Sequence, residues 1–202
     1  DTVDTDSIYS NKCVEDSYEY KTNKMLQWLD ERGLKATFFV VGSLARTNPK
    51  LIRLVESMSH NIGFHSYVHE PLNNVSKKQF SLETKKDKQF IEDLIGKPIL
   101  GFRAPYFSLT KETNWITETL CNLGFHYSSS TIPSNWFKSG YSGIPQEPFR
   151  WGSGLVEFPM VLGSILGIKF PSIGGIYLRY IPIRFLYNTL SKNGLRWTYI
   201  HP

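Results

Sequence analysis

The chain has little of what would tie it to several common protein classes. Only two cysteines, Cys13 and Cys121, occur in 202 residues. They stand far apart and in no metal-binding or redox spacing, so two unpaired thiols are expected ahead of one disulfide, and the redox compartment is left open. No uninterrupted apolar stretch reaches the roughly 20 residues that a membrane-spanning helix needs, and no secretory signal precedes the first expected strand. There is no internal repeat, no low-complexity tract and no linker that would split the chain. Charge of one sign is not concentrated either. The 23 Lys and Arg against 18 Asp and Glu leave a net charge of +5, and the densest basic run (Lys77, Lys78, Lys85, Lys86, Lys88) is broken by Glu83 and Asp87. That pattern is a solvated helix face, not the clustered basic surface with interleaved aromatics of a nucleic-acid binder.

What is present is a folded-protein composition, 41% hydrophobic and 20% charged, long enough for one domain over residues 1–202 with a well-buried core. Short apolar runs alternate with helix-like segments, the pattern of a parallel α/β sheet or barrel. A first strand is expected over Thr2 to Thr5, then a helix after Ser17 that stops at Gly33. Strand signals follow at Ala36 to Val41, Asn61 to His65, Ile99 to Phe102, Phe125 to Ser128 and Leu155 to Met160. A closing strand is expected from Arg196 to Ile200. Helices are expected from Pro49, from Ser76 to about Ile95 with Gly96 as its stop, from Thr110 to Gly124, and over Ile181 to Leu190. Residues 131–154 are irregular and rich in Pro, Gly, Ser and Trp, which in a compact domain marks a functional loop or lid. Trp136 and Trp151 in that loop are candidates for stacking on sugar, with a hydrophobic plug as the plain alternative.

The chemistry concentrates at expected strand ends, where α/β folds carry their sites. His65 and His69 are four residues apart, a spacing that on a helical turn puts both imidazoles on one face and lets them grip one cation. Imidazole suits zinc and other borderline divalent ions, and catalytic zinc sites add a carboxylate and keep one position open. Asp4 and Asp6 supply carboxylates at the end of the first expected strand. Arg103 ends the Ile99 strand and His201 ends the last one. His60 and His126 lack a partner pattern and read as structural. The same two-histidine, one-carboxylate set also describes iron oxygenases, but these need a jelly roll of many short strands rather than helices between strands.

Taken in order, Val3-Asp4-Thr5-Asp6, His65-Ser66-Tyr67-Val68-His69, Arg103-Ala104-Pro105-Tyr106 and Tyr199-Ile200-His201 resemble the motif series of the polysaccharide deacetylase family, the NodB-homology domain of carbohydrate esterase family four. The resemblance implies a distorted (β/α) barrel of about seven mainly parallel strands. It implies a metal-dependent hydrolase that removes N-acetyl groups from amino sugars of a bacterial polysaccharide, in the cytoplasm or at the cell envelope. By the same resemblance, Asp6, His65 and His69 hold one divalent ion, zinc first and cobalt or another ion as alternatives. Asp4 is the catalytic base, oriented by Arg103. Tyr106 offers its backbone N–H to the oxyanion and binds substrate, and His201 is the general acid. The stretches Val156-Glu157-Phe158-Pro159-Met160 and Gly174-Gly175-Ile176-Tyr177-Leu178-Arg179 are similar to the branch found with exopolysaccharide loci.

One departure stands out. The family usually places an aspartate after the Gly-Phe/Tyr strand to tune the acid histidine, and here that place holds Ser128. A serine can hydrogen-bond imidazole but cannot stabilise imidazolium by charge. The expectation is that Ser128→Asp raises the rate, unless another carboxylate substitutes. A weakly active or inactive sugar-binding protein on the same fold is the alternative reading.

Overall fold

A computed structural model describes residues 18–134, 140–165, 168–171 and 197–200. Helix α1 (Tyr18–Asp30) buries Thr22, Leu26 and Leu29, one stripe at i, i+4 and i+7. The chain then turns at Gly33, whose φ of 61° a side chain would strain. Strand β1 (Thr37–Val40) leads into two short helices, α2 (Gly42–Thr47) and α3 (Pro49–Ser57). Asn48 Oδ1 accepts from Leu51 N–H and Pro49 occupies the first turn, so α3 starts as its residues dictate. Strand β2 (Asn61–Phe64) is followed by the long helix α4 (Lys77–Ile95). Its ends obey the capping rules: Ser76 Oγ accepts from Gln79 N–H at 3.2 Å and Gly96 is left-handed. Lys77, Lys78, Lys85 and Lys86 lie exposed along α4, the solvated face expected of that run.

The remaining elements are short: β3 (Gly101–Phe102), α5 (Trp115–Asn122), β4 (Tyr127–Ser128), β5 (Phe149–Arg150), β6 (Val156–Glu157), and the pair β7 (Leu162–Ile165) and β8 (Ile168–Pro171). Six strands form one sheet in the order β1-β2-β3-β4-β6-β5. Every pairing from β1 to β6 is parallel, and β5 joins β6 antiparallel. Strands β7 and β8 make a separate hairpin. The fold is therefore mixed α/β with a mostly parallel sheet. Among the described residues that sheet is open, with β1 and β5 at its edges.

Several expectations need correction. Thr110 does not start a helix: its N–H donates to Thr113 Oγ1 at 2.8 Å and its hydroxyl to Glu112, closing a local turn before α5 begins at Trp115. The irregular stretch contains strand β5 and a bridge between Ile132 and Gly140. Residues 197–200 are not a strand; the Trp197 indole N–H donates to the Pro159 carbonyl at 2.9 Å and anchors them otherwise. The expected strand at residues 2–5 and helix at 181–190 lie outside the described residues.

The core packs aromatics from β2, β3, α4 and the approach to β4. Phe64 meets Phe102 and Phe125 at 6.3 and 6.4 Å, and Phe80 meets Phe102 and Trp115 at 5.7 and 5.8 Å. Each such side chain, fully buried, contributes about 1.5–3 kcal/mol. Asp87, 2% exposed on α4, accepts from Arg46 Nε at 2.8 Å and ties α2 to α4. Gly63 has to be glycine for a packing reason: a Cβ there would sit 2.6 Å from Phe39 Cδ1 and 3.2 Å from the Gly101 carbonyl. Gly63→Ala should therefore cost about 1–3 kcal/mol by overpacking, read as a lower midpoint in urea unfolding. An unchanged midpoint would show that Phe39 moves aside freely.

Candidate active site

The site is built along the carboxyl edge of the parallel strands. The first residue past each strand donates its N–H to the last carbonyl of the strand before it. His65 donates to Val40, Arg103 to Phe64, Ser129 to Phe102 and Phe158 to Ser128, at 2.8–3.0 Å. The ladder thus continues one step beyond the strands and lines up His65, Arg103 and Ser129 on adjacent strand ends.

His65 is 1% exposed, and its Nδ1 lies 2.8 Å from the Arg103 carbonyl oxygen. A carbonyl only accepts, so Nδ1 carries the proton and the lone pair of the ring resides on Nε2. Burial pushes the imidazole pKa well below its ordinary value; the bond to Arg103 opposes this and the neighbouring His69 adds to it. The ring is held neutral and in one tautomer, as metal-ligating histidines are. His69 reaches it with ring centroids 4.8 Å apart. The two histidines are not on a helical turn, contrary to expectation. Residues 65–69 form a bent loop in which Ser66 and His69 are left-handed, at φ 61° and 51°. The first turn of α2 fixes that loop: Gly42 and Ser43 N–H donate to the Ser66 and Tyr67 carbonyls at 2.8 and 2.9 Å.

The turn after β3 is also left-handed, at Tyr106 (φ 55°) and Phe107 (φ 51°). Two such residues in succession are uncommon without glycine and are found where the surrounding contacts over-determine them. Tyr106 is 60% exposed and its ring lies 4.9 Å from that of His69. Arg103, by contrast, is buried. Its guanidinium is buried over the rings of Phe39, Phe107 and Tyr199, at 4.8, 5.2 and 5.1 Å, and its Nη2 donates to Ser129 Oγ at 3.1 Å. Burial lowers its pKa to about 10, against the attraction of Glu157 among other groups. It stays charged at neutral pH.

Glu157, at the end of β6, was not singled out as a site residue in the sequence. Its carboxylate is fully buried and in register with Ser128 on β4. Oε1 accepts from Ser130 N–H at 2.7 Å and from Thr131 N–H and Oγ1 at 3.0 Å each. The signal was legible as a lone charge within the apolar run Leu155 to Met160.

Of the other candidates, Trp151 is half-buried between Tyr141 and Phe149, at 5.2 and 4.8 Å, and its indole N–H donates to Glu157 Oε2 at 3.4 Å. Asp4, Asp6, Trp136 and His201 lie outside the described residues. His60 is structural: its Nδ1 accepts from Ala36 N–H at 3.2 Å and its ring packs on Phe38. Among the described residues no three His, Cys, Asp or Glu side chains cluster as a complete metal site, and the expected third ligand, Asp6, is not one of them.

A family model for polysaccharide deacetylases matches residues 3–127. The chain belongs to the polysaccharide deacetylase family. Residues 129–202 match a second family, a domain of unknown function (DUF3473). The two matches abut at Ser128, yet β4 and β6 pair across that boundary in one sheet. A peptidoglycan-N-acetylglucosamine deacetylase of Bacillus cereus is 31% identical over 98 residues, covering 48% of this chain and 36% of its own length. Chitin deacetylase 1 of Cryptococcus neoformans is 29% identical over 85 residues, covering 42% of this chain and 18% of its own length. The chain thus spans well under half the length of these curated relatives. A Mycobacterium smegmatis structure described as a polysaccharide deacetylase superposes with a TM-score of 0.56 at 27% identity, over 68% of this chain and 44% of that one.

A buried histidine with a depressed pKa makes stability depend on pH. The unfolded chain protonates His65 near pH 6.5 while the native state does not, so metal-free protein should lose stability as pH falls through that value. Comparing melting temperatures from about pH 7.5 down to about pH 5.5, a range that brackets the unfolded value, wild type should fall more steeply than His65→Asn. Parallel slopes would place the proton elsewhere.

Proposed function

We propose that this chain is a metal-dependent hydrolase that removes N-acetyl groups from amino sugars of a bacterial polysaccharide or glycan. The observation that carries the proposal is the pairing of His65 and His69 beside Tyr106, with His65 oriented through the Arg103 carbonyl. Two imidazoles, one neutral and fixed in tautomer, suit a divalent ion, and Asp6 would complete the set with zinc as the first choice. A divalent ion bound by these residues would supply Lewis-acid polarisation of the acetyl carbonyl and a lowered pKa for water. Asp4 takes the proton of the attacking water, with Arg103 setting its orientation and charge. The Tyr106 backbone N–H donates to the oxyanion, a role supported by its left-handed turn beside His69. His201 protonates the leaving amine.

For substrate, Tyr106 is the best-supported contact because its ring is exposed beside His69. Trp136 and Trp151 are proposed as further sugar-stacking residues, although the neighbours of Trp151 favour its role as a hydrophobic plug. We take residues 1–202 to be one domain of barrel type. We also assign it to the exopolysaccharide-locus branch, on residues 156–160 and 174–179.

Calorimetry with zinc should give about one ion per chain. His65→Ala and His69→Ala should each abolish binding, and full zinc content in the double variant would falsify the site. Acetate release should be measured on N-acetylglucosamine oligomers and on peptidoglycan. Asp4→Asn should retain zinc and lose about 10²–10⁴-fold in rate. Zinc bound and glycan retained without acetate release would favour the sugar-binding alternative.

A further inference from the structure

Position 128 carries no charge, but the space around it does. Ser128 is fully buried and in Cα register with Glu157 on the neighbouring strand, and Ser130, whose Oγ pairs with the Ser128 hydroxyl, donates its N–H to Glu157 Oε1 at 2.7 Å. Two chains of contacts run from there to the Arg103–Tyr106 turn. In one, Ser128 Oγ lies 2.7 Å from Ser130 Oγ, which accepts the Ala104 N–H at 2.8 Å. In the other, Ser129 Oγ accepts from Arg103 Nη2 at 3.1 Å and donates to the Phe158 carbonyl, one residue past Glu157, at 2.8 Å. Arg103 is a buried cation stacked on aromatic rings, and among the described residues Glu157 is a carboxylate whose charge attracts it. A buried guanidinium with no anion nearby would be costly to keep charged.

We propose that Glu157 is a positioning residue that supplies, from strand β6, the buried negative charge expected at position 128, and so holds Arg103 and the turn through Tyr106 in their working arrangement. The proposal rests on the deacetylase reading of the site and extends it to the region matched by the domain of unknown function, to which Glu157 belongs. It reverses the effect anticipated for Ser128→Asp. With Glu157 in place, a second carboxylate at 128 would face the first in a water-excluded space, where two like charges cannot both stay ionised cheaply. The same substitution should help once the charge at 157 is gone.

The test is a four-member cycle: wild type, Glu157→Gln, Ser128→Asp and the double variant. Glutamine keeps an acceptor oxygen for the Ser130 and Thr131 donors, so Glu157→Gln removes charge while losing only the longer bond from Trp151. Glu157→Gln should lower kcat/KM for acetate release by about 10–100-fold, the usual range for residues that support a site from behind. Zinc stoichiometry should stay the same, because the proposed ligands themselves are untouched. Ser128→Asp alone should also lower kcat/KM, while the double variant should recover to within about threefold of wild type, a coupling of opposite sign to either single change. Melting temperature reads the same cycle without any activity: the double variant should melt above both single variants. If wild type releases no acetate, the deacetylase reading fails and the thermal cycle alone decides this proposal. A double variant no better than Glu157→Gln in rate and in melting temperature overturns it, and so does a Glu157→Gln protein that matches wild type in both.

Discussion

Hydrogen bonding between His65 Nδ1 and the Arg103 carbonyl, 2.8 Å apart, constrains both halves of the site at once. It sets the tautomer of a buried imidazole, and it does so with the backbone of the residue whose side chain governs the other half. Moving Arg103 would therefore disturb the histidine proposed to hold the metal as well as the guanidinium. The contact exists because β2 and β3 are parallel neighbours whose ladder runs one residue past their ends. The strain at Ser66, His69, Tyr106 and Phe107 is carried by the two loops that this bond joins.

Much of this was legible in the sequence, and for reasons that can be named. Helices α1, α3 and α4 follow local rules: an apolar stripe, a proline in the first turn, a serine cap, a glycine stop. The placement of His65 and Arg103 at strand ends followed from apolar runs that stop just before them. What misled was geometry set by distant contacts. An i, i+4 histidine pair looks helical on paper, but here the carbonyls of residues 66 and 67 are held by the N-terminal turn of α2. Thr110 has the chemistry of a cap, but Thr113 claims its backbone first. Residues 197–200 carry β-type side chains, yet Trp197 anchors to Pro159 and Tyr199 packs on Phe107.

Glu157 shows a different limit. A carboxylate in an apolar run is visible, but its partner is not, because Ser128 lies 29 positions earlier and meets it only through strand pairing. Reading Ser128 as a lost charge was sound one residue at a time. The sheet makes the two positions a single site. A substitution pattern that seems to weaken a mechanism can therefore be half of an exchange whose other half sits on the adjacent strand.

The parallel pairing of β4 with β6 also bears on how the chain acquires its structure during synthesis. Domains fold from the amino terminus as they emerge, and non-local pairings come late. When Ser128 has left the ribosome, β4 has its β3 neighbour but presents a bare edge on the other side, with Phe102 and Phe125 packed just beneath. That edge stays unpaired until Val156 and Glu157 emerge. During that interval the nascent chain carries an exposed parallel strand edge with aromatic residues beneath it. The stretch between the two strands sets how long a chaperone would need to shield them.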